Sequence, residues 1–324
     1  MFHFKRRTLW IIMYITIPLI ALLNSLGPDE SAQNDAEKTQ AASPTESTQS
    51  IASTTEPTNS AITEPVMADS WRLSELAFDC LNSVCPVYLP GAAEFYVTVI
   101  SDQVPVERVD VPTQLQVSAT GQAGWFVIRV KSPAGDEAIE QARLFLQQWL
   151  PANATMKLVL SGDIDSAIVE HWSSLKSELN ASGAPYRAAV QALPTSIASP
   201  TLGSEQQLAF LLWSEVLKQR LAKQQIELHW DHRAKPSFLI LSAPVDPADL
   251  KPVDNSELAP ILSAYIDQAQ LPQRSAEQIH RYAVSAVLHQ LPLSYFAEQG
   301  ERLNAITLPS INRARDYFIE QIQP

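Results

Sequence analysis

Glycine is scarce, at 9 of 324 residues, and neither G-x-G-x-x-G nor G-x-x-x-x-G-K-[ST] occurs, so the common glycine-rich phosphate cradles are excluded. Two cysteines are too few for a four-thiolate zinc site. Basic residues are outnumbered, 23 Lys and Arg against 35 Asp and Glu, giving a formal charge of −12. That balance repels a phosphate backbone and excludes a non-specific nucleic-acid binder. No G-x-S-x-G nucleophile elbow is found. What the chain does have is a 46% hydrophobic content, enough for a sizeable core, and a length that suits two ordinary domains or one large one with a tail.

The ends of the chain differ in material. Residues 1–7 include Lys5, Arg6 and Arg7, and from Thr8 to Leu26 no charged residue occurs. A helix over residues 8–26 would measure roughly 28 Å, about one hydrocarbon core. The basic flank precedes it and Pro28-Asp29-Glu30 follows, so the positive-inside rule places residues 1–7 in the cytoplasm and the rest across the membrane. A cleaved signal peptide is the rival reading. The exit Asn24-Ser25-Leu26-Gly27-Pro28 lacks an A-x-A-like site, which favours an uncleaved anchor. The chain is therefore expected to be a single-pass inner-membrane protein with a periplasmic body.

Residues 27–70 are dominated by Ser, Thr, Ala, Gln, Pro and Glu, and aromatics are absent from 27–67. Such a composition cannot offset its ordering entropy and reads as a disordered tether, with a reach of roughly 35 Å. Cys80 and Cys85 then flank turn formers, and in an exported protein they read as a small-loop disulfide.

From residue 71 the pattern is regular. Strands are expected at 95–100, 115–119, 125–130, 156–160, 226–230 and 238–242, by their β-branched and aromatic content. Helical periodicity marks 138–150, a segment after Ser161-Gly162-Asp163-Ile164-Asp165 running to about Leu179, then 206–223, 258–269, 275–288 and 308–322. Asp165 or Ser166 is placed to cap the second of these. The order favours an α+β body over residues 71–324, in halves of about 71–182 and 183–324, with helices on one face of mostly antiparallel sheets.

Three passages carry a family resemblance. Pro151-Ala-Asn-Ala-Thr-Met-Lys-Leu-Val-Leu-Ser-Gly-Asp-Ile-Asp165 resembles the N-M-x-L-x-x-x-G-D-x-D passage of insulinase/pitrilysin-type metallopeptidases. The segment 209–221, ending in Arg220-Leu221, is similar to that family's helix with a terminal S-R-L. Leu291-Pro-Leu-Ser-Tyr295, with Ile311-Asn-Arg-Ala-Arg-Asp-Tyr317 after it, is similar to the family's closing segment. The resemblance implies ferredoxin-like α+β halves. It also implies, for active members, zinc held by H-x-x-E-H with a downstream Glu, and a second carboxylate that takes a proton from the zinc-bound water.

None of the six histidines, His3, His171, His229, His232, His280 and His289, completes H-x-x-E-H. Ala167-Ile-Val-Glu170-His171 has alanine where the first ligand belongs. His229 and His232 stand three apart on an expected strand and turn and need not converge; His280 and His289 read as surface or interface residues. Asp163 and Asp165 read as a turn and a cap. No residue is assigned as catalytic, cofactor-binding or metal-ligating, and Cys80 and Cys85 are the only pair given a role. The expectation is a non-catalytic, second-half-like relative of these peptidases, acting as partner of a zinc-bearing homologue or as a peptide-binding wall. A diverged zinc peptidase and an envelope scaffold are the alternatives.

Overall fold

The computed structural model describes residues 70–81, 83–188, 196–224, 226–271 and 273–322. The expectations for residues 1–7, 8–26 and 27–69 lie outside the described residues. Among those described, no helix is long and apolar enough to cross a membrane.

The first sheet has five strands in the order β1-β6-β2-β5-β4. They are β1 (Val84–Tyr88), β2 (Glu94–Ser101), β4 (Gln116–Gln122), β5 (Trp125–Pro133) and β6 (Met156–Gly162), with a small ribbon of β3 (Gln103–Pro105) and β7 (Gly183–Pro185) beside them. All its pairs are antiparallel except β1 with β6. β1 was not expected from sequence. Pro86 tolerates this edge position, where one side of the strand is unpaired among the described residues. The Cys80–Cys85 disulfide is formed at its entrance.

Two helices follow, α1 (Asp136–Trp149) and α2 (Ser166–Ser173). Asp165 caps α2 as expected, accepting from the Ile168 N–H at 2.8 Å. The helix stops short of Leu179, giving way to a 3₁₀ turn at Leu175–Glu178. Serine hydroxyls explain the break: Ser173 Oγ donates to Val169 O and Ser174 Oγ to His171 O, competing with the helical ladder.

The second half holds β8 (Ser196–Ala198), α3 (Glu205–Leu221), β9 (Leu228–Asp231), β10 (Phe238–Leu241), α4 (Asn255–Ala269), α5 (Ala276–His289), the short α6 (Ser294–Ala297) and α7 (Gln299–Asn304), and α8 (Leu308–Ile322). The sheet order is β8-β10-β9. Phe210 and Trp213 of α3, Ile261 of α4 and Phe318 of α8 pack with Leu239 and Leu241 of β10 into one core. Capping boxes at Asp254 and Ser275 start α4 and α5.

The body is α+β, with two corrections to the expected layering. A ferredoxin-like half alternates strand, helix, two strands, helix, strand; here five strands precede α1. And the first sheet is covered on both faces. Phe95, Val97, Ile128 and Leu160 meet Phe145, Leu146 and Trp172 of α1 and α2. Val87, Ile100, Val127 and Val159 meet Ile279, Ala283 and Val287 of α5, a helix from the second half of the sequence. The period of α5 gave its apolar stripe but could not say which sheet would receive it.

The halves are also tied at a hairpin. The β4–β5 turn puts Ala123 at φ 51° and Gly124 at φ 84°, both left-handed, as a two-residue turn of the right twist requires. The Ala123 N–H donates to His232 O at 2.7 Å and the Gly124 N–H to Arg233 O at 2.8 Å, so the tip rests on the β9–β10 turn.

Candidate functional site

The sheet face toward α5 is apolar at one end and polar at the other. Register explains this. Ser161, Tyr96, Lys131 and Gln116 lie opposite one another across four strands, and Val159, Thr98, Arg129 and Ser118 form the next row. Strand alternation turns all eight toward α5. The N-terminal half of α5 answers with Glu277, His280 and Arg281.

His280 is the buried centre of this contact. Thr98 Oγ1 lies 2.7 Å from its Nε2 and Ser161 Oγ 2.8 Å from its Nδ1, and the ring stacks on Tyr96 at 5.4 Å. Burial, helped by the charge of Arg129, pushes its pKa down to about 3. The ring is therefore neutral, one nitrogen donating and the other accepting. The expectation that His280 is a surface or interface residue is corrected. With both nitrogens engaged it has no free lone pair for a metal. Its hydroxyl partners, Thr98 and Ser161, are fully buried.

Around it, Lys131 pairs with Glu94 at 2.5 Å and lies over the Tyr96 ring, 5.6 Å from its centroid. Tyr96 donates to Glu94, and burial together with that bond pushes its phenol up. The Lys131 and Tyr96 bonds hold the Glu94 carboxyl below the usual range. Arg129 donates to Gln122 Oε1 at 2.5 Å; burial, and then the neighbouring Arg281, pull its pKa down.

Above these rows lies a cleft of about 640 Å³, bordered by β4, β5 and α5. Gln122 and Ser285 also border a second cleft of about 760 Å³ in the second half, so the two adjoin. Its wall includes Trp230, His232, Lys235, His289 and Tyr317. The His232 ring lies flat on Trp230 at 5.8 Å, and its Nδ1 is 3.1 Å from Ser237 Oγ. His232 is open at one edge, yet burial of the ring lowers its pKa; burial also lowers that of His289.

The other sequence candidates scatter. His171 pairs with Glu140 at 2.9 Å on the surface of α2. Trp230 and His232 face the helix-covered side of the small sheet, so alternation turns His229 to the other side. Arg220 has a packing role at the end of α3. It makes a two-pronged bond to Glu257 at 2.9 and 2.7 Å and donates to Asp249 O and Lys251 O, tying the end of α3 to the start of α4. Among the described residues, no three His, Cys, Asp or Glu side chains converge as a metal ion needs. The polar rows of the cleft were not identified from sequence, because Arg129, Ser118 and Gln122 are ordinary strand residues until the register aligns them.

No family model matches the chain, and no curated protein does. Solved structures do. The inactive domain of a peptidase M16 from Pseudomonas fluorescens matches with a TM-score of 0.50 at 10% identity, covering 74% of this chain and 94% of that one. The body shares the fold of that M16 domain. A protease from Helicobacter pylori matches with a TM-score of 0.48 at 10% identity over 77% of this chain and 98% of its own. The α+β expectation drawn from the insulinase-type resemblance thus has a structural counterpart, at the level of fold.

Proposed function

We propose that this chain is a non-catalytic, peptidase-like protein, held at the inner membrane by residues 8–26 with its body exported, that binds peptide in the α5 cleft as partner of a zinc-bearing homologue. The observation that carries the reading is the construction of the cleft. Its rim is β4, an edge strand with one side unpaired among the described residues, and the polar side chains of its floor are Tyr96, Lys131, Arg129, Gln116 and Ser118. An extended chain can satisfy its own backbone along such an edge while its side chains meet the floor. The chain lacks H-x-x-E-H, and its fold is that of a domain described as inactive in another protein. Those two facts favour a binding role over hydrolysis.

Purification of the full-length chain from detergent-solubilised membranes of its own host tests the partner role. A stoichiometric companion carrying H-x-x-E-H and zinc is the expected result. Stoichiometric zinc in the chain alone, lost on replacing His229 or His232, would return it to the diverged peptidases.

A further inference from the structure

The charge of the cleft runs against that of the chain. Acidic residues prevail overall, 35 to 23, yet the two adjoining lobes are bordered by Arg129, Lys131, Arg281 and Lys235 and by a single carboxylate, Glu277. Two of the cations are already answered: Arg281 by Glu277 at 2.5 Å and Lys131 by Glu94. Arg129 and Lys235 form no ion pair among the described residues.

Arg129 is the more telling. It is half-buried, and the bond it makes is to a neutral amide, Gln122. Two other sequestered arginines have a carboxylate, Arg143 bonding Glu178 and Arg220 bonding Glu257. Arg274 has none but spreads its donors over four backbone carbonyls at and beyond the end of α4, where Arg129 makes one bond. A guanidinium that has given up hydration without gaining a counter-charge is held at a cost, and an incoming carboxylate would relieve it with a two-pronged bond. The neighbouring Arg281 makes the spot more attractive to an anion still.

We propose that the cleft selects peptide segments rich in carboxylates, one acidic side chain seated on Arg129 and another reaching Lys235 in the second lobe. This rests on the peptide-binding reading and names the class of peptide. Gln122 and Ser285, which border both lobes, supply neutral contacts where the two meet, and the Trp230–His232 stack supplies an apolar wall. Nothing in either lobe offers a free carboxylate to a basic peptide, since Glu277 is engaged.

The test uses the full chain in detergent micelles and a fluorescein-labelled peptide of alternating Glu and Thr, beside the same peptide with Gln for Glu, read by fluorescence anisotropy. The Glu peptide should bind about tenfold more tightly, the preference shrinking as salt is raised. Arg129→Gln and, separately, Lys235→Gln should each weaken the Glu peptide by about three- to tenfold and leave the Gln peptide unchanged. Lys235 lies on an exposed turn, so its variant answers even if Arg129→Gln impairs folding. Equal affinity for the two peptides overturns the acidic preference and leaves peptide binding standing. Binding of neither overturns both.

Discussion

Acid should unfold this body earlier than its carboxylates alone would dictate, and His280 is the reason. Its folded pKa is about 3 against 6.5 for an unperturbed ring, because it is buried against the sheet and close to Arg129. As pH falls through 6.5 the unfolded chain takes up a proton that the folded chain refuses. The stabilisation is whole above that pH and declines by about 1.4 kcal/mol per unit until the folded value is reached. By pH 5 the loss from this one ring is about 2 kcal/mol, while unfolded-state carboxylates remain mostly ionised. His280→Leu alone should be worse at pH 7, by about 2–4 kcal/mol, since Thr98 and Ser161 are left buried without their partner. Replacing all three, as Thr98→Val, Ser161→Ala and His280→Leu, removes the orphans and should restore stability to within about 1.5 kcal/mol. The assay is urea unfolding of the full chain in micelles, followed by tryptophan fluorescence at pH 7 and pH 5. His232 and His289 titrate in all three proteins and cancel in the difference. The triple variant should lose about 2 kcal/mol less than the wild type between those two pH values. Equal losses would refute the reasoning, and so would a neutral His280→Leu at pH 7.

Other outcomes follow from the same contacts. Arg220→Ala should lower unfolding free energy by about 2–3 kcal/mol in urea, because the partly exposed Glu257 and two carbonyls lose their donor. Reducing Cys80–Cys85, which closes a short loop, should cost about 2 kcal/mol and lower the midpoint of a thermal melt run with and without dithiothreitol. Asp165→Ala removes the cap of α2 and should cost about 1 kcal/mol in the same urea assay.

Local signals made most elements legible. The β-branched run at 95–100, the capped helix after Asp165 and the amphipathic stripes of α5 and α8 are encoded within a few residues of themselves. β1 escaped because Pro86 and the disulfide turn mask a strand that pairs, among the described residues, with β6 alone. The α6 and α7 turns are too short to carry a period. The cleft was illegible for a different reason. His280 is buried by Thr98 and Ser161, which stand 182 and 119 residues away in sequence, and its character depends on them. Likewise Arg129 becomes notable only when register sets it in the row facing α5, in one cleft with Arg281 and without an ion pair among the described residues. The missing H-x-x-E-H could be read directly, since a motif spans five positions; a cleft lined from three strands and a distant helix could not.

A peptide bound along β4 over the α5 cleft should leave intact. Installing a photoreactive benzoylphenylalanine at Ser118, with a control at Lys176 outside the cleft lining, measures this directly when the Glu–Thr peptide is added and the adduct is weighed by mass spectrometry. An adduct at Ser118 of full peptide mass and none at Lys176 is the expected result. An adduct carrying a cut peptide, or equal labelling at both positions, would contradict it.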